Sequence, residues 1–300
     1  MMTLGNVVRD LEMVHKLARI SSVRSPCQLA CMLLAVLSLA ISAPWAAGQD
    51  KPAEKPPAKE ATEPKGYTVI PGRLPKSIIR MAQSGQVGNQ TEFNNYYNAL
   101  IAQFTQPERF TSAYDHRKDI RRDARTAYNN GTKQYHAALN QLLLSTLRKN
   151  ATDAQYHPAA RFNWMLIIGD LNEVEKLPSG TAKEKPLPAA LPVLISVEGD
   201  ETQPDSVRLA ALIGLDRHAT AGGIDDAARQ TLVPNLQKIV ARRSPPEGRD
   251  AEVHKWFQDR ARAILKTLNV EVVAAADTPD AADGPEELDG PDGPDGPDSP

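Results

Sequence analysis

The chain has 300 residues, 41% of them hydrophobic, a formal net charge of −2 and two cysteines. Both cysteines, Cys27 and Cys31, lie within the first 48 residues, so the rest of the chain has no thiol for disulfides, zinc-thiolate sites, iron–sulfur clusters, CxxCH haem attachment or nucleophilic catalysis. Residues 277–300 hold seven Asp, two Glu and no base, and residues 1–48 hold four bases against two acids; the intervening body therefore carries only +5, too little to point to a nucleic-acid partner.

Residues 1–48 read as a signal peptide. His15, Lys16, Arg19 and Arg24 make a basic start, Leu29 to Ile41 is apolar apart from Ser38, and Ala46-Ala47-Gly48 supplies small side chains for cleavage between Gly48 and Gln49. Asp10 and Glu12 do not suit such a start, and translation from Met13 gives a leader of ordinary proportions. The thirteen residues from Leu29 to Ile41 fall short of the ~20 that a spanning helix needs. The expected address is therefore secreted or periplasmic, with no membrane insertion after leader removal. An N-terminal membrane anchor is the alternative.

Residues 49–65 are almost entirely Lys, Pro, Ala and Glu, with nothing to bury, and are expected to form a disordered linker. Residues 271–300 repeat Gly-Pro-Asp at Gly290, Gly293 and Gly296 and are expected to form a disordered acidic tail. Residues 66–270 remain as the folded body. A body of that size buries roughly 70% of its unfolded surface, enough for one core without covalent staples.

Within this body the helical period dominates. Phe93, Tyr96, Tyr97, Leu100, Ile101 and Phe104 share one helix face, and so do Tyr135, Leu139, Leu142, Leu143 and Leu147. Asn130-Gly131 reads as a stop, Pro158 as a first-turn proline, and Asp205-Ser206 as an N-cap. No period-two run of β-branched residues stands out, and the expected class is all-α.

A frame also repeats. Ile120-Arg121, Ala160-Arg161, Val207-Arg208 and Phe257-Gln258 each precede a small or apolar residue at +4 and a pair at +7 and +8. The intervals between the marked Arg or Gln positions are 40, 47 and 50 residues. Each frame follows another apolar-faced segment: Thr91–Phe104, Thr132–Lys149, Leu187–Glu198 and Asp226–Arg242. The unit is a helical hairpin, and Pro192 and Pro234 are expected to kink the first helices in which they fall.

The frame resembles the HEAT-repeat family. Val207-Arg208-x-x-Ala211-x-x-Gly214-Leu215 matches its second-helix pattern best, and Arg161 through Gly169-x-Leu171 matches more loosely. Gln258 and Ile264 depart from it, standing where Arg and Gly are usual. The resemblance covers Thr91 to Leu268. It implies a right-handed α-solenoid of about four HEAT-like hairpins flanked by disordered ends, and it implies no activity.

Candidate chemistry is sparse. Asp115, Asp119 and Asp123 recur at four-residue intervals, but Arg117, Lys118, Arg121 and Arg122 interleave at salt-bridging offsets, so the expected reading is an ion-paired solvated face. His116, His136, His157, His218 and His254 form no HExxH, HxH or i, i+4 pair. His157 is expected in a loop and His218 in the core or at a cap. Trp164 and Trp256-Phe257 read as core. The sequons at Asn89, Asn130 and Asn150 sit at helix boundaries and read as caps. Arg117, Lys118, Arg121, Arg122 and Arg125 form the candidate partner-binding basic patch. The expectation is a non-enzymatic scaffold with no cofactor and no catalytic or metal-binding residue, presenting its surface to a protein, peptide or envelope polymer. A hydrolase framed on the same repeats and acting on an envelope polymer is the alternative.

Overall fold

The computed structural model describes residues 58–61, 74–129, 133–176 and 183–271. The leader with its Gly48–Gln49 cleavage site, most of the linker, Asn130-Gly131 and the acidic tail lie outside the described residues.

The described residues are mostly helical. In chain order the helices are α1 (Lys76–Ser84), α2 (Gln90–Ala102), α3 (Ala113–Asn129), α4 (Gln134–Thr152), α5 (Pro158–Asp170), α6 (Leu191–Gly199), α7 (Asp205–Thr220), α8 (Asp226–Ala241) and α9 (Ala251–Thr267). Short 3-10 turns at Gln103–Thr105, Pro107–Ser112 and Pro188–Ala190 join some of them. One small antiparallel ribbon, β1 (Asn172–Val174) with β2 (Lys185–Pro186), departs from the all-α expectation.

Polar side chains start several helices as their residue types require. Asn89 accepts from the Glu92 amide at 3.1 Å, Asp225 from Ala228 at 2.8 Å, and Asp250 from Glu252 at 2.8 Å. His157 does the same through Nδ1, which accepts from the Ala159 amide at 3.1 Å, with Pro158 in the first turn. Asp205 does not cap α7. Pro204 holds the cap position, and the Asp205 carboxylate instead receives both ends of the Arg249 guanidinium, at 2.9 and 2.6 Å. At the far end of α7, Gly222 adopts φ +70° and the Gly223 amide closes on the His218 carbonyl at 2.8 Å. Pro192 also differs from expectation. Helix α6 begins only at Leu191, so the proline lies in its first turn, where no partner for a backbone N–H is needed, whereas Pro234 lies inside α8.

All eight segments are helical. Helix α4 packs against α5, α6 against α7 and α8 against α9, whereas α2 and α3 do not pack as a hairpin, and α3 lies against α1 and α4. Helix α5 packs against α7 and α7 against α9, while among the first helices α6 packs against α8. Helix α1 adds a lid at the N-terminal end, against α3 and α4. Phe93 of α2 is sealed against Tyr97 and against Tyr135 of α4, with both ring pairs edge-on at 5.1 Å. One continuous apolar cluster runs from Ile78 to Leu268 and takes in Trp164 and Phe257. Part of the expected linker belongs to this body. The Lys59 amide donates to the Gln155 carbonyl at 2.7 Å, the Ala61 amide donates to Thr105 Oγ1 at 3.2 Å, and Lys59 Nζ stands 5.0 Å from the centre of the Tyr156 ring.

Candidate interaction surface

The arginine of the repeating frame has a structural task. Arg161 Nε donates to the Ala151 carbonyl at 2.8 Å, and Arg208 Nε donates to the Glu198 carbonyl at 2.9 Å. Both acceptors lie in the last turn of the preceding first helix, where carbonyls lack partners within the helix. Gln258 does the equivalent with a neutral amide, donating to the Arg242 carbonyl at 2.7 Å. Each clasp ties the second helix of a hairpin to the end of its first.

Arg121 breaks this pattern. Its guanidinium turns to Glu184 at 3.0 Å and Asp170 at 3.5 Å. The five predicted basic residues therefore separate. Arg117 is half-buried with its guanidinium 5.7 Å from the Tyr114 ring, and burial lowers its pKa. Lys118, Arg122 and Arg125 form an exposed stripe along α3, with Arg122 held by Asp119 at 2.8 Å.

Arg121 joins a polar cluster around the ribbon. Arg217 of α7 also reaches Glu184, at 3.0 Å, and donates to the Gly169 carbonyl at 2.8 Å. Asn172 donates to the buried Glu175 at 2.9 Å, and Asn140 donates to the Asn172 carbonyl at 2.7 Å. His136 Nε2 lies 3.5 Å from Glu175. Burial pushes the Glu175 carboxyl up, but contacts with His136, Asn172 and Arg121 prevail and hold it below its usual value. The cavity beside these groups is only about 10 Å³, room for one water. This cluster fastens the ribbon to the helices. Arg121 was singled out from sequence, but for another role, and Glu175, Glu184, Asn140, Asn172 and Arg217 were not; the trace in the sequence is the lengthening of the repeat interval from 40 to 47 residues where the ribbon is inserted.

The three aspartates of α3 diverge. Asp119 pairs with Arg122, whereas Asp123 is 4% exposed and accepts from the Tyr97 hydroxyl at 3.3 Å, which in turn lies 2.8 Å from the Tyr135 hydroxyl. The solvated face expected from sequence is thus half a buried network. Burial pushes the Asp123 carboxyl up to about 6, against the pull of Arg122 and Tyr97. Burial and the neighbouring Asp123 charge raise the Tyr97 phenol in turn. His218 is buried at the end of α7, as expected for a core residue.

No protein-family model, curated protein or solved structure matches the chain. Among the described residues, no helix is long and apolar enough to cross a membrane.

Proposed function

We propose that the processed chain is a non-enzymatic extracytoplasmic scaffold, a right-handed α-solenoid of about four HEAT-like hairpins that offers its surface to a protein, peptide or envelope polymer. The observation that carries this reading is the recurrence of one clasp: Arg161, Arg208 and Gln258 each fasten a second helix to the end of its first. Residues repeated for such a purpose encode stacking of units, and stacked units earn their place by extended surface. The order of helix packing, α5 on α7 on α9, supports the same reading. The exposed stripe of Lys118, Arg122 and Arg125 is the part of the predicted patch left to meet an acidic partner.

The test is capture from the native envelope with the full processed chain and with a Lys118→Ala, Arg122→Ala, Arg125→Ala variant. One stoichiometric partner, retained by the parent and lost by the variant, supports the scaffold. Turnover of an envelope polymer by the purified chain, abolished by point changes, overturns it in favour of a hydrolase.

A further inference from the structure

The junctions between successive hairpins differ in how the clasp arginine is satisfied. At the earlier junction, Arg161 uses Nε for the helix end, and one terminal nitrogen donates to the side-chain oxygen of Gln203, 42 residues ahead. At the next junction, Arg208 again uses Nε, but 41 residues ahead stands Arg249. An amide acceptor is replaced by a second cation. Both guanidiniums lie near the Phe257 ring, at 5.4 and 4.3 Å from its centre, and the Arg249 charge adds to burial in lowering the Arg208 pKa.

Arg249 is neutralised by its two bonds to Asp205. Arg208 is not. It is 4% exposed, and among the described residues neither of its terminal nitrogens has a hydrogen-bond acceptor and no carboxylate lies within ion-pair distance. These nitrogens are not among the buried unpartnered atoms; they keep free donors for an anion at the cavity that Arg208 lines. Arg208 and Arg249 line a cavity of about 30 Å³ between α6, α7, α8 and α9, with Lys238 and Arg242 also in its wall. His254 lines it too, but its Nε2 donates to the Arg242 carbonyl at 3.0 Å, which leaves Nδ1 an acceptor that offers nothing to an anion. Two acids share the wall. Glu201 is already held by Lys238 at 3.0 Å and Arg242 at 3.3 Å, and Glu198, its pKa raised by burial, accepts from Asn235 Nδ2 at 3.4 Å.

We propose that this cavity is a phosphate-class oxyanion site, in which the terminal nitrogens of Arg208 receive the anion and Lys238 and Arg242 attract it at the rim. Arg208 has free donors, and Lys238 and Arg242 share the single Glu201, so the wall offers donors to several oxygens at once, as a tetrahedral oxyanion presents them, where a planar carboxylate needs one guanidinium fork.

The test uses the full processed chain in thermal unfolding, with ionic strength held constant by sodium chloride. Inorganic phosphate and glycerol phosphate are titrated, with acetate as the planar comparison. A saturable rise in Tm with either phosphate, exceeding that with acetate, supports the site. A stronger response to glycerol phosphate identifies a phosphoryl group carried on a larger molecule, and an equal response identifies the free ion. Arg208→Gln should weaken phosphate binding about tenfold or more, the worth of a charge-assisted hydrogen bond. Because Arg208 also clasps α6, Lys238→Ala with Arg242→Ala tests the site through side chains that take no part in the clasp and should weaken binding in the same direction. No rise with phosphate beyond that with chloride, or a rise unchanged in the Lys238/Arg242 variant, overturns the proposal.

Discussion

Gly169 of α5 and Gly214 of α7 meet backbone to backbone: a methyl on Gly169 would stand 2.8 Å from the Gly214 Cα, and one on Gly214 would stand 3.0 Å from the Gly169 Cα and 2.9 Å from Leu194 Cδ1. Neither backbone can yield without moving a helix. At this contact α5 and α7 approach too closely for a side chain on either glycine, which gives the small residues of the frame a steric reason.

Alanine at either glycine should therefore destabilise the chain although alanine favours helix. The propensity gain is about 1 kcal/mol, and overpacking costs about 1–3 kcal/mol. The expected result is a lower urea midpoint for Gly169→Ala and for Gly214→Ala. A higher midpoint in both would remove the contact from the account of how hairpins pack.

The clasps should rank by charge. Arg161→Met leaves the Ala151 carbonyl and the Gln203 oxygen without their donor, and should cost about 2–3 kcal/mol. Gln258→Ala removes only neutral hydrogen bonds to the Arg242 and Val240 carbonyls, and should cost about 1 kcal/mol. Chemical denaturation of the two variants gives the comparison directly. Equal losses would mean that the charge of the arginine contributes nothing at this position.

Two buried groups make stability depend on pH in opposite senses. Asp123 has its folded pKa raised from 3.8 to about 6, chiefly by burial, so its contribution is full below about 3.8 and is lost as pH rises through about 6. The gap corresponds to about 3 kcal/mol. His218 has its pKa lowered from 6.5 to about 4, by burial and then by the Arg217 charge. Its contribution is full above 6.5 and is lost as pH falls through about 4. Asp123→Asn, which keeps an acceptor for Tyr97, should raise stability at neutral pH and flatten the profile between pH 4 and 6. His218→Leu should flatten the acid side instead. Unfolding followed at several pH values separates the two, and an Asp123→Asn profile parallel to the parent's would contradict the burial argument.

Processing has a direct readout. Intact mass of the exported protein should correspond to a chain beginning at Gln49. Retention of residues before Gln49 would favour the anchored alternative.

Much of the architecture was legible from the residues. Apolar positions recurring within four residues report a helix face without reference to the rest of the chain, which is why all eight predicted segments are helical in the structure. The recurrence of Arg at 161 and 208 marked equivalent places in successive hairpins, although its purpose was invisible until the carbonyls of Ala151 and Glu198 came within reach.

Tertiary structure decided the partners. Asp123 was indistinguishable by pattern from Asp119, and only Tyr97, 26 residues away, makes it a buried acceptor. Arg121 holds the same place in the frame as Arg161, in a weaker unit, yet it pairs with Glu184, 63 residues away. A local sequence rule fixes the period of a helix because each turn is stabilised by its own backbone. Which neighbour a charge meets depends on how distant helices and an inserted ribbon are brought together, and no short window of sequence contains that information.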